Sequence, residues 1–582
     1  MALIGIGRFL VLQLLLLLLG VVVAIGESAP IVPLVKVRSI SIDVRDIFDD
    51  KELGFPYSTV NNLKMTTIED VIRRELLFNV GDTYDEFLLE ESERRLRSLR
   101  YLREVTIISN VDGAEVDIIV SVQDTWTIIP QANASMGGGT NKSSVGIGDS
   151  NLFGLGKRLE MLYADDEGRE TYEVVWDDPR FMATEQQLVL GHFERSDGYR
   201  TVGYFGRPLR TLVGTFSWQL NTDFSDVVER LFEAGEEDYI FRKRHQAMAA
   251  GVTFSIGEPS DAVERFSFGY EFLNDVFNQA DQDDFDAVNI DPNLVSSDLD
   301  RLAEDRRFSG PFVEYNYLEP RYVALHHVDR FERTEDFNLG RDIKLRLGYA
   351  PEFLDSYGNT MLSAARYQRG WKLSSSHFLR QELSFSTRTQ HDRFNNTILR
   401  GNWRYYDVLG ERYIGNVGVG SHTLASSLLM DYAFDLDEDS QLVLGAENGL
   451  RGYKSRMFSG TSRVLLNVED RIHLAEDVLK LVSFGTVMFF DIGGAAGSAP
   501  GEILTDHLYS DAGVGLRLGF PRSSGGSVLR MDLAFPMRSS PAGDSDWQLR
   551  VLITSGQAFT ASLPGEREGI DKNTSTSLVF SP

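Results

Sequence analysis

Asp281, Asp283, Asp284, Asp286, Asp291, Asp298 and Asp300 crowd one stretch of this 582-residue chain, a density of carboxylates that could hold a hard cation. Their spacing does not suit one. An EF-hand needs a glycine and a terminal bidentate glutamate at fixed offsets, and neither is present, so a solvated acidic loop is expected. His326 and His327 are adjacent, and on a strand they would face opposite sides and could not share a metal. The glycine-rich run Gly146 to Gly156 lacks the Lys-Ser/Thr that would hold a phosphate, and no periodic helix follows it. With no G-x-S-x-G and no Ser/Cys-His constellation, the expectation is a protein that is not an enzyme and carries no metal or cofactor.

The charges that remain are lone ones inside apolar strands. Val464, Leu466 and Val468 alternate with Arg463, Leu465, Asn467, Glu469 and Arg471, and Phe484, Met488, Phe490 and Ile492 stand opposite Ser483, Gly485, Val487, Phe489, Asp491 and Gly493. An apolar outside with isolated Arg, Glu and Asp inside is what a closed barrel in lipid requires, because lipid offers no partner to a charge or to an open sheet edge.

The elements that must position these residues begin at Trp126. Alternating segments recur from there between Gly-rich or acidic stretches, with about 16 to 19 strand candidates, the uncertainty lying in segments such as Gln246 to Ile256 and Tyr413 to Phe434 that can be split. Near the end, Leu529, Met531, Leu533 and Phe535 face away from Arg530 and Asp532. Trp547, Leu549, Val551 and Ile553 then define a last strand, closing with Gly556 to Phe559. This places an antiparallel barrel over 126–559 and leaves a C-terminal extension over 560–582.

Upstream, residues 1–26 read as a signal peptide: Arg8, an apolar run from Phe9 to Val23, then Ala24-Ile25-Gly26. Residues 33–124 read as a small α+β domain in the order βααββ. Its first helix is expected from Thr66, with Thr66 and Glu69 as a capping box, and its second from Asp85; the segment from Arg45 to Leu63 reads as a loop. The chain has no cysteine and a net charge of −28, which excludes disulfides and thiolate metal sites and argues against nucleic acid as partner.

Arg451-Gly452-Tyr453 resembles the inward-folded loop motif of the bacterial surface antigen superfamily, outer-membrane barrels that insert or translocate proteins. Phe489-Phe490-Asp491-Ile492-Gly493 matches that family's F-x-D-x-G strand motif. The N-terminal pattern is similar to a single polypeptide-transport-associated (POTRA) domain, Gly146 to Gly156 to the family's first hairpin, and Trp547, Gly556 and Phe559 to its closing-strand signal. The resemblance implies a barrel of sixteen strands in the bacterial outer membrane, in contact with its lipid, with the POTRA-like domain in the periplasm receiving a polypeptide client or a chaperone. It implies that the loop around Arg451 folds into the lumen, that Gly452 allows a tight turn, and that Arg451 meets Asp491, with Glu469 as a second acceptor. The alternative is a passive pore or structural barrel whose POTRA-like domain serves its own assembly.

Overall fold

The computed structural model describes residues 35–559 apart from 49–53, 55–56, 138–139, 167–168, 332, 498, 525–527 and 542–548. The signal peptide, the extension 560–582 and Trp547 lie outside the described residues.

The N-terminal domain is a three-stranded sheet of β1 (Lys36–Arg45), β2 (Leu102–Asp112) and β3 (Glu115–Asp124), with β3 central, parallel to β1 and antiparallel to β2. Strict alternation of Val116, Ile118, Val120 and Val122 puts all four on one face, where they are fully buried against Val71, Ile72, Leu89 and Leu96. Three helices accompany the sheet: α1 (Tyr57–Leu63), α2 (Glu69–Arg73) and α3 (Glu86–Arg97). The side chain of Asp85 caps α3 by accepting from the Phe87 N–H.

Two local expectations fail here. The segment read as a loop holds α1, and α2 starts three residues later than the Thr66 capping box predicts. Tertiary contacts win over the local cap: the Thr67 N–H and hydroxyl both bond Asp124, at 3.0 and 2.5 Å, and the Ile68 N–H goes to the Gly154 carbonyl of the barrel.

Beyond this domain the main sheet of the described residues, from Ile128 to Ser555, is one closed antiparallel barrel. It has twenty strands among the described residues, not sixteen. Of the two segments that looked divisible, Gln246 to Ile256 is unbroken within strand Glu236–Glu258, whereas Tyr413 to Phe434 is split at residues 415–416, between strands Arg393–Ile414 and Val417–Phe434. Several of its hairpins turn in two residues. Ala234-Gly235 and His391-Asp392 all have positive φ, the conformation of a tight hairpin turn, and His391-Asp392 carries no glycine to mark it in the sequence. The Gly146 to Gly156 run lies in the second hairpin of the barrel, not the first, and its turn is docked on the N-terminal domain.

Outward-facing positions are apolar and exposed around the wall, including Val313, Leu347, Met361, Leu383, Met488 and Val514. Inward-facing positions are polar or charged and buried, among them Glu271, Arg380, Asn402, Asp431, Glu469 and Asp532. That inversion of an ordinary soluble core is the arrangement of a barrel whose solvent is lipid.

The N-terminal domain sits against the turns at the end where the barrel chain starts and stops. Glu75 receives Arg95 at 2.9 Å and Arg180 of a barrel turn at 2.7 Å, and Glu91 accepts from the Leu212 N–H. Burial alone would raise the Glu75 carboxyl, but the Arg180 hydrogen bond and the charge of Arg95 hold it below the ordinary glutamate range.

Candidate functional site

Strand Ser462–Val478 and strand Val482–Ala496 pair antiparallel, and their register sets Asn467 opposite Asp491 and Glu469 opposite Phe489. Because the side chains alternate, Asn467, Glu469, Arg471, Phe489 and Asp491 all point into the lumen, whereas Leu466, Val468, Met488 and Phe490 point out. The neighbouring strands Tyr509–Gly519 and Val528–Pro536 add Asp511, Arg517, Arg530 and Asp532 to the same inner wall.

Arg451 comes to this wall from the connection between strands Val417–Phe434 and Ser462–Val478, which starts at the opposite end of the barrel from the N-terminal domain. Its guanidinium forks onto Asp491, Nε to Oδ2 at 2.7 Å and Nη2 to Oδ1 at 2.9 Å, while Nη1 reaches Glu469 at 2.7 Å and Asp532 at 3.3 Å. The planar fork suits a bidentate carboxylate, and the cation also lies 3.5 Å from the centroid of the Phe489 ring. Every partner is itself held. Asn467 donates to Asp491, Arg471 donates to Glu469 at 2.8 Å, and Arg517 donates to Asp532 at 2.5 Å. The side chains of Arg451, Glu469, Asp491 and Asp532 are no more than 1% exposed.

Gly452 and Tyr453 fix the loop beside the cation. Gly452 lies so near the wall that a Cβ there would fall 2.6 Å from the Cβ of Asp511 and 2.9 Å from the Pro536 nitrogen. Close approach, not a positive φ, is therefore what requires the glycine; the left-handed glycine nearby is Gly449, at φ 121°. Tyr453 is buried with Leu450, Phe458 and Tyr509, and its hydroxyl donates toward the carbonyls of Ser510 and Arg538. Gly493 serves packing in the same way, since a Cβ there would meet the Val464 carbonyl at 2.4 Å.

The closing strand spans Arg550–Ser555, with Val551 exposed and Leu552 buried, and Arg550 donates inward to the Gly452 carbonyl at 2.7 Å. Phe559 is not part of that strand. After Gly556, at φ 87°, the chain turns into the lumen, where the Phe559 carbonyl accepts from Arg471 and its ring lies beside Tyr406. A residue inside the lumen does not present the outward terminal aromatic expected of a closing-strand signal.

Sequence reasoning missed Asp511, Asp329 and the role of Asp532. The alternation of Leu529 to Phe535 already put Asp532 on the lumen side, but nothing in the sequence marked Asp329, which belongs to a turn. Among the described residues no group of His, Asp and Glu is placed to hold a metal ion. Asp284 of the acidic stretch instead caps a short helix with Asp281 and pairs with Arg242 at 2.6 Å.

Residues 59–124 match the family model described as POTRA, surface antigen variable number repeat. No curated protein matches the chain. Among solved structures it is similar to BamA from Haemophilus ducreyi lacking POTRA domains 1–3, at 13% identity, covering 90% of this chain and 84% of that one, with a TM-score of 0.33. It is also similar to CdiB from Acinetobacter baumannii, at 12% identity, 90% and 74% coverage and a TM-score of 0.44. For CdiB from Escherichia coli the figures are 10%, 90% and 76%, and 0.45. At that level of superposition these likenesses assign no role to any residue.

Proposed function

We propose that this protein is an outer-membrane barrel of the surface antigen superfamily that inserts or translocates polypeptides, received by its single POTRA domain in the periplasm. The barrel belongs in a membrane because its outer wall is apolar and its charges are turned inward. The POTRA match lies in the domain at the end where the barrel chain starts and stops, which supports an orientation with that end in the periplasm. No covalent chemistry is involved; the work is recognition and conformational change.

The observation that carries this reading is the loop locked to the inner wall by Arg451. A passive pore conducts through an open lumen, whereas here a connecting loop folds into it and is tied to the wall beside the closing strand, through Arg550 and the Gly452 carbonyl. A client would join the small sheet by pairing with an edge strand, a mode that needs no particular side chains. In the POTRA domain β2 is one edge; the other, β1, is bridged near its start by Thr83.

Depletion of the protein followed by quantitative outer-membrane and periplasmic proteomics tests this. A defined set of polypeptides should disappear from the outer membrane or the medium and accumulate in the periplasm, and the Arg451→Ala variant should fail to restore them. Unchanged proteomes on depletion would leave the passive or structural barrel as the correct reading.

A further inference from the structure

The connection from Glu319 to Arg341 is 23 residues long, whereas the other strand connections at its end of the barrel run to eight residues at most. A barrel needs no such length to reverse its chain, and long connections with structure of their own are usually functional. This one forms a hairpin, Tyr322–Leu325 paired with Glu335–Asn338, and is buried despite being a turn: Val328 is 0%, Phe331 3% and Phe337 3% exposed.

It is buried because it enters the lumen. Phe337 stacks on Phe378, which stacks in turn on Tyr406 of the next strand. Farther round the wall, Phe331 occupies the space left by two glycines, Gly485 and Gly519, where a Cβ would come within 3.0 and 2.3 Å of its ring. Leu339 lies against Gly370 in the same way. The hairpin therefore touches walls on well-separated strands.

Both of its ends of contact are ionic. Toward the lumen cluster, Arg471 donates to the Val328 carbonyl at 2.9 Å and to Asp329 at 3.0 Å while its Nε holds Glu469, the carboxylate that also holds Arg451. Toward the POTRA domain, Arg97 of α3 forks onto Asp336 at 2.8 and 2.9 Å, Arg333 donates to the Leu102 carbonyl, and Arg94 lies over the Tyr322 ring. Gln557, beyond the closing strand, also donates to the Asp329 carbonyl.

We propose that Glu319–Arg341 is a resident plug that closes the periplasmic half of the lumen, latched to the POTRA helix by Arg97–Asp336 and to the loop-anchoring cluster by Arg471–Asp329. Resting on the proposed function for what moves it, the plug withdraws when a client displaces α3 and breaks the Arg97 fork. The charges are opposite at both latches, and within the plug Glu335, next to Asp336, accepts from the Val328 N–H at 3.2 Å and the Asp329 N–H at 3.0 Å, which ties the POTRA contact to the Arg451 cluster.

Single-channel recording of the purified full-length protein in planar bilayers tests the plug without any client. The parent protein should stay at a closed baseline, and replacing residues 322–338 by a short Gly-Ser turn should give large stable conductance steps. Arg97→Ala and Asp336→Ala, which leave the hairpin in place, should each give intermittent openings absent from the parent, with heat-modifiable gel migration retained as proof of a folded barrel. Because the chain has no cysteine, a double variant Arg97→Cys/Asp336→Cys bridged by a short cleavable thiol cross-linker should stay closed until cleaved. Folded deletion and latch variants that remain at the closed baseline overturn the plug, as does a cross-linked protein that opens. Conductance of this kind in a strain whose proteome ignores depletion would keep the plug and remove the translocation reading, so the two failures are distinguishable.

Discussion

The lumen cluster and the acidic loop at 281–305 contain the same residue types in opposite surroundings. Arg451, Glu469, Asp491 and Asp532 are sealed inside the barrel and bound to one another, whereas Asp283, Asp286, Asp291, Asp298 and Asp300 stand in water. A surface ion pair contributes about 0 to 1 kcal/mol, while removing one partner of a buried pair costs about 3 to 5 kcal/mol because the other charge is left uncompensated. Density of charge in the sequence therefore pointed to the wrong place, and strand parity pointed to the right one.

The comparison breaks most sharply at Arg451. Arg451→Ala leaves Asp491 and Glu469 facing each other's wall without their shared cation, and should destabilise the folded barrel by about 3 to 5 kcal/mol in denaturant titration. Arg451→Lys should recover only part of this, since an ammonium cannot fork onto Asp491. On the outer wall, Met488→Arg places a charge in lipid one residue from Phe489 and should cost about 2 to 4 kcal/mol near mid-bilayer, read as reduced heat-modifiable protein.

A smaller effect is expected where the POTRA domain meets the barrel. Glu75 is depressed in the folded protein, so its contribution is fully present above the ordinary glutamate range and is lost as pH falls through the lowered folded value. Glu75→Gln should cost about 1 to 3 kcal/mol at neutral pH, by leaving Arg95 and Arg180 with a weaker acceptor. The parent's melting temperature should fall more steeply than the variant's on acidification below about pH 5. At the far end of the scale, Asp298→Asn with Asp300→Asn should leave melting temperature and assembly unchanged, and a measurable loss would mean that the loop binds something.

Much of this was legible in the sequence, for physical reasons. A period of two assigns every residue of a membrane strand to one of two solvents, so the faces of 462–478 and 482–496 could be read directly. The POTRA strands showed equally well through Val116 to Val122. The strand count did not, because a turn such as His391-Asp392 carries no glycine or proline to mark it, and resemblance favoured sixteen. The start of α2 was misread because Asp124, far away in sequence, takes the Thr67 N–H that a local cap was expected to organise around. Asp329 and Phe331 carried no signal, since a residue that fills a barrel from a turn obeys neither strand nor helix periodicity.

The central claim is that Arg451 and Asp491 act as one unit inside the lumen. The most direct test is a double-mutant cycle of Arg451→Ala and Asp491→Ala, with unfolding free energy of the detergent-folded barrel as the readout. Each single variant should be strongly destabilised and the double variant little worse than either, giving a coupling energy nearly as large as one single loss, about 3 kcal/mol or more. Additive losses with zero coupling would contradict the account, because two residues that do not feel each other cannot be what holds the loop in the barrel.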